Sequence, residues 1–141
     1  VHYRFVTPET FASLVDADGF LEHAQFGGNR YGTPKSVVEE ARAAGKVVVL
    51  DIEMEGVKQV KRTGVDARYV FIKPPSVEVL EQRLRGRGTE KEESIQKRLR
   101  QAVLELEYSQ TEGVHDLIIE NDDLERAYKE LEEFVYKPKE A

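Results

Sequence analysis

The stretch KVVVLDIEMEG, Lys46–Gly56, restricts the fold more than any other part of this chain. Val47–Leu50 and Ile52 enclose Asp51, and Glu53 follows two residues on. A continuous apolar run rich in β-branched residues reads as a strand buried on both faces, as in a parallel sheet. Ionised carboxylates are costly along the middle of such a strand, so Asp51 and Glu53 belong at its carboxyl end. That edge is where open α/β sheets hold ligands. Two residues apart on an extended backbone, the acids point the same way and suit a cation or a donor-rich ligand. Acids also favour a helix start. Glu53 fits that reading too, whereas Asp51, with Ile52 still to come, fits it poorly.

The rest of the chain alternates around this strand. His2–Val6 predicts a short strand. Thr7-Pro8-Glu9 opens a helix ending near Asp18-Gly19, with a hydroxyl cap, proline in the first turn and an acid behind it. Phe20–Phe26 and Arg30–Thr33 read as strands joined by the turn Gly27-Gly28-Asn29. Thr33-Pro34 opens a helix over Lys35–Ala44, closed by Gly45. After the central strand come a helix over 53–62, a second buried strand at Arg68–Lys73, and a helix capped by Ser76 that runs to about Arg85. Thr89-Glu90-Lys91-Glu92 has capping-box spacing. It predicts a helix to about Tyr108, with Ile95, Leu99, Ala102 and Leu106 on one stripe. His115–Glu120 is a third buried strand. Asn121-Asp122-Asp123 opens the last helix, with Leu124, Ala127, Leu131 and Phe134 on its apolar face, and Lys137–Ala141 frays. From Lys46 onward, strand–helix–strand–helix–helix–strand–helix predicts a parallel sheet with right-handed crossovers. Residues 1–45, with short strands and a hairpin, read as a separate lobe.

Composition narrows the chemistry. The 141 residues are one domain by length and can build a core without staples. They contain no Cys, which excludes a disulfide framework and a thiolate zinc site. Three His residues without metal-site spacing leave only a hard ion held by oxygen. A net charge of −6 argues against broad nucleic-acid binding but not against an anion gripped by local arginines. No apolar run approaches a membrane span. No GxSxG, HExxH, dinucleotide fingerprint or GxxxxGK[ST] phosphate loop occurs in the sequence.

Three further constellations carry candidate chemistry. Arg83, Arg85, Arg87, Arg98 and Arg100 surround a glycine-flanked break. Arg87 and Arg98 bracket a helical hairpin able to fold guanidinium groups onto a polyphosphate; the same residues also read as a solvated face balanced by Glu90, Glu92 and Glu93. Glu22, Gln25, Asn29, Arg30, Tyr31 and Thr33 read as either a polar pocket or an exposed sheet face. Asn121 and Asp122 lie at the carboxyl end of the last strand, where an ordinary helix cap is an equal reading.

Taken in order, these constellations resemble the guanylate kinase family. The matching stretches are FLEHAQFGGNRYGT (Phe20–Thr33), VVLDIEMEGVKQVK (Val48–Lys61), VFIKPPSVEVLEQRLRGRGTEKEESIQKRL (Val70–Leu99) and IIENDDLERAYKEL (Ile118–Leu131). The resemblance implies an α/β, P-loop NTPase-like parallel sheet with flanking helices, a small GMP-binding β/α lobe and a helical lid. It assigns residues 1–45 to the GMP lobe, 46–86 and 109–141 to the core and 87–108 to the lid. The implied reaction passes the terminal phosphate of ATP to GMP with Mg²⁺, giving GDP and ADP, in a cytoplasmic enzyme that is monomeric when complete. Tyr3 and Tyr31 look like the phenols on the GMP phosphate. Glu22 and Thr33 look like guanine readers, Gly32 beside Thr33 is assigned with them to the GMP site, and Glu53 matches a position that contacts the base. Asp51 looks like the acid that positions Mg²⁺ through its waters. Arg87 and Arg98 look like lid arginines on the ATP phosphates, and Asn121 and Asp122 match the segment beside the adenine.

The family's first strand and lysine-bearing phosphate loop have no counterpart here. On that ground the 141 residues read as an N-terminally truncated form with little kinase activity of its own and an unfilled position in its sheet. Two other readings stay open. One is a non-catalytic, phosphopeptide-binding module of the same fold, although such modules typically lose the lid arginines and strand-tip acid retained here. The other is an inactive fragment.

Overall fold

Thr7 and Pro8 open the first helix as their chemistry requires. The computed structural model describes residues 3–138. They fall into two units, one up to Val65 and one from Asp66. In the first, α1 spans Pro8–Asp16, with the Thr7 hydroxyl accepting the Thr10 N–H at 3.1 Å. Asp18, at φ 54°, turns the chain out of the helix. Strands β1 (Phe20–Phe26) and β2 (Asn29–Pro34) form an antiparallel hairpin. Its two loop residues, Gly27 and Gly28, have φ of 58° and 81°, the left-handed pair that a tight primed turn needs. Phe11 of α1 packs on Phe20 with ring centroids 4.6 Å apart, and both are buried. Helix α2 (Lys35–Ala43) ends at Gly45, φ 73°. There the Gly45 N–H donates to Arg42 O and the Lys46 N–H to Ala41 O, a Schellman closure. Helix α3 (Met54–Arg62) packs on β1 through its buried face at Gly56 and Val60.

Two expected strands are absent from this unit. Tyr3–Val6 is irregular, and Phe5 is 94% exposed; Val1 and His2 lie outside the described residues. The Val47–Ile52 segment, expected as a doubly buried central strand, joins no ladder among the described residues. Its burial instead alternates, with Val47 57% and Val49 72% exposed and Val48, Leu50 and Ile52 half-buried. The reason is that a strand exists only through a neighbour's hydrogen bonds, and neither segment has such a neighbour.

In the second unit β3 (Val70–Lys73) and β4 (Leu117–Glu120) pair in parallel, from Val70↔Leu117 to Lys73↔Glu120. Between them in sequence, α4 (Val77–Gly86) and α5 (Glu92–Ser109) pack on each other. Helix α6 (Leu124–Tyr136) packs on β4. The caps follow the sequence: Ser76 Oγ accepts the Val79 N–H at 3.1 Å and Asp123 Oδ1 the Arg126 N–H at 2.8 Å. Ile119 is fully buried.

Both strands are shorter and less buried than expected, with Ile72 and Ile118 nearly half exposed. At the leading end of β3, Arg68 is diverted to α6. Its guanidinium takes the carbonyls of Phe134, Val135 and Lys137 and so caps the helix carboxyl end. Before β4, the Asp116 carboxylate accepts the Tyr69 N–H at 2.7 Å and takes a ladder position. Leu124 is exposed and off the buried face of α6, which centres on Ala127. The expected capping box does not form. Helix α5 begins at Glu92 with Lys91 as its cap residue and no side-chain cap bond, and the Glu92 carboxylate that the box would turn back onto Thr89 is held instead by Arg85 and Gln96.

Candidate functional site

Residues of β1 and β2 that share one hairpin face build the candidate site of the first unit. Glu22 pairs with Thr33 and Ala24 with Tyr31, so Glu22, Tyr31 and Thr33 face the same way. Glu22 is the buried charged residue among the described ones, 9% exposed, and its Oε1 accepts the Thr33 hydroxyl at 2.7 Å. A buried carboxylate needs partners for both oxygens. Thr33 serves one; the other, Oε2, looks toward Gly56 of α3, where a built Cβ would lie 3.4 Å away. One strand repeat from Thr33, about 7 Å along β2, Tyr31 meets Tyr3 edge to face, with ring centroids 5.7 Å apart. A carboxylate–hydroxyl pair and a pair of phenols therefore occupy two stations on one face. The exposed-sheet reading fails at Glu22, which is buried, and holds at Gln25, Asn29, Arg30 and Tyr31, which are exposed. Gly32 turns out to be a packing residue: a Cβ there would come within 2.7 Å of the Phe20 ring.

Asp51 and Glu53 lie on the exposed side of the alternating segment before α3. Glu53 is the cap residue of α3, one turn before Gly56, without a side-chain cap bond. The described residues contain no group of three or more His, Cys, Asp or Glu placed to hold a metal.

The second unit carries the arginines. Arg85 is neutralised by Glu81 at 2.8 Å and by both oxygens of Glu92. The Arg85 guanidinium, with Gln96 behind it, lowers the Glu92 carboxyl to a pKa of about 2, and the hydrogen bonds Arg85 donates to Glu92 and Glu81 raise its own. Arg98 Nε sits 2.9 Å from Glu90 Oε2. Arg87, the residue after α4, is exposed and enters no ion pair with a described residue. The balanced-face reading thus holds for Arg85 and Arg98 and not for Arg87. At the end of β4, the Asn121 N–H donates to Lys73 O at 2.8 Å. Asp122 is engaged by Arg126 and by the Asp123 N–H.

Sequence reasoning missed Gln59. The His23 N–H donates to Gln59 Oε1 at 2.9 Å, and Gln59 Nε2 donates to the His23 carbonyl at 3.0 Å. A polar residue in an amphipathic helix gives no signal of such a bond.

A parallel strand pair flanked by helices makes this an α/β protein, and comparison with known proteins gives the P-loop kinase fold. A sequence model described as guanylate kinase matches residues 1–138, and the chain belongs to the guanylate kinase family. It is 52% identical to guanylate kinase from Schizosaccharomyces pombe over 94% of this chain and 65% of that protein. It is 47% identical to the Sus scrofa guanylate kinase over 93% of this chain and 66% of that one. A crystal structure of guanylate kinase from Anaplasma phagocytophilum matches with a TM-score of 0.69 at 27% identity, over 94% of this chain and 63% of that one. The chain thus spans just under two thirds of the length of these relatives. No described helix is long and apolar enough to cross a membrane.

Proposed function

We propose that this chain carries the acceptor site and phosphate-directed arginines of a guanylate kinase, which transfers the terminal phosphate of ATP to GMP. The observation that carries the reading is the buried Glu22 carboxylate bonded to Thr33, on the hairpin face that also presents Tyr31 against Tyr3. Guanine offers a ring N–H and an exocyclic amino group side by side, which a carboxylate accepts together. Adenine puts a bare ring nitrogen at the first of these positions, and leaving the buried carboxylate unmatched there makes discrimination steep. Thr33 turns its hydroxyl proton from Glu22 to the base carbonyl when the base arrives. Tyr3 and Tyr31 donate to the monophosphate, and Glu53 supports the base edge.

Arg87 and Arg98 serve the donor. Guanidinium forks bind phosphoryl oxygens in two-point fashion and offset the charge that develops in transfer. Arg87 does so without an ion pair to give up among the described residues, and Arg98 by exchanging Glu90 for phosphate. Asn121 and Asp122 border the adenine. Residues 1–45 form the GMP lobe, 46–86 and 109–141 the core, and 87–108 the lid. Asp51 suits Mg²⁺: it is a single exposed oxygen donor, and Mg²⁺ keeps most of its waters and takes phosphate oxygens as further ligands. Asp51 would hold Mg²⁺ through its waters, and the ion would supply neutralisation of phosphate charge there. The same reading makes the protein a cytoplasmic monomer.

Calorimetric titration with GMP and AMP tests the proposal. The protein should prefer GMP, and Glu22→Ala should erase most of that preference. An unchanged preference in the variant removes Glu22 from the site.

A further inference from the structure

The geometry points to Gln59 as a positioning residue that aims Glu22 at the base, with Gly56 keeping open the space used by the second oxygen of Glu22. The inference rests on the reading of Glu22 as the base-recognising carboxylate. The His23 N–H belongs to the peptide unit that joins Glu22 to His23, so a group that holds this N–H holds the plane from which the Glu22 side chain departs. Gln59 holds both the N–H, at 2.9 Å, and the carbonyl of His23, at 3.0 Å. In an antiparallel pair, a residue whose N–H and C=O both point away from its partner strand leaves them for a further neighbour. A carboxamide with one donor and one acceptor fills that place as a strand would.

Gly56 stands three residues before Gln59 on the same face of α3. A Cβ at Gly56 would approach Glu22 Oε2 to 3.4 Å and the Ile52 Cβ to 3.1 Å. The helix thus acts at two points: Gln59 fixes the Glu22 backbone, and Gly56 leaves room for its carboxylate. Thr33 fixes the other oxygen at 2.7 Å. With Gln59 gone, the backbone of β1 at Glu22 loses the two bonds that tie it to α3, and the carboxylate no longer meets both donors of the base.

The test compares GMP with IMP, which lacks the exocyclic amino group, by calorimetry on the full chain and two variants. Gln59→Leu keeps the volume and loses both bonds. Gln59→Glu keeps the accepting oxygen and sets a carboxylate against the His23 carbonyl. Both variants should lower the GMP-to-IMP affinity ratio about tenfold, the order expected when a reading group is misplaced. A purely structural residue would lower the melting temperature and weaken both nucleotides by one factor. An unchanged ratio in the variants, with the wild type preferring GMP, overturns the inference and leaves the base reading intact. A wild type without preference removes the base reading, and the inference with it. If neither variant folds, amide exchange on the wild type decides: strong protection of the His23 N–H is expected, and exchange at an open-chain rate overturns the clamp.

Discussion

Glu22 and Thr33 depend on each other, and the dependence sets what each substitution does. Thr33→Val keeps shape but leaves a buried carboxylate one hydrogen bond short. It should cost about 1–3 kcal/mol in denaturant unfolding and also weaken GMP. A loss of GMP affinity with no loss of stability would mean that the 2.7 Å bond carries nothing in the free protein. The residue scale is also where the sequence was least legible. Phe20–Phe26 announced a strand, but nothing in its pattern said that Glu22 would be buried, because burial came from α3, whose first turn lies more than thirty residues on. Gln59 had no signal at all. Nor does the sequence announce that the missing side chain of Gly32 admits the Phe20 ring.

Helices were well announced wherever their caps were local. Thr7, Ser76 and Asp123 each accept the backbone N–H three residues on. Asp123→Ala should therefore lower stability by about 1 kcal/mol, read as a shift in the denaturation midpoint at unchanged slope. The Thr89–Glu92 box failed for an equally physical reason. The box needs the Glu92 carboxylate on the Thr89 N–H, and a guanidinium is a better partner than an exposed N–H, so Glu92 went to Arg85. The junction of α4 and α5 is tied by Arg85 and Glu92. Glu92 in the folded protein titrates near 2, below its ordinary 4.5. Its contribution is therefore fully present above about pH 4.5 and fades as pH falls through about 2. An NMR titration of the Glu92 carboxyl should give a midpoint near 2, and Arg85→Gln should return it toward 4.5; a midpoint already near 4.5 in the wild type would dismiss the pair. Strands were less legible than helices, because their partners are distant. The run at Val47–Ile52 carries the strongest apolar signal in the chain, yet it joins no ladder among the described residues.

Across the whole molecule, the α/β class was legible from alternation alone, and family membership from four quoted stretches that together cover about half of the chain. The division at Val65/Asp66 was not, since the sequence placed its boundary at the composition change near Gly45. The 141 residues contain no GxxxxGK[ST] loop, whose amides and lysine cradle the β and γ phosphates. Assayed by themselves in a coupled ADP-release measurement, they should turn over at least about 10³-fold more slowly than a protein carrying that loop. GMP binding should survive better than turnover, because the acceptor residues lie within one unit. Turnover matching a loop-bearing relative would overturn this expectation.

The clasp between Gln59 and His23 has one more consequence. Where a β-strand leaves its outer N–H and C=O bare, another molecule's strand can add to it and seed assembly. At His23 the helix has already taken those groups with a side chain. Gln59 thereby closes this one point of the strand edge to a passing chain.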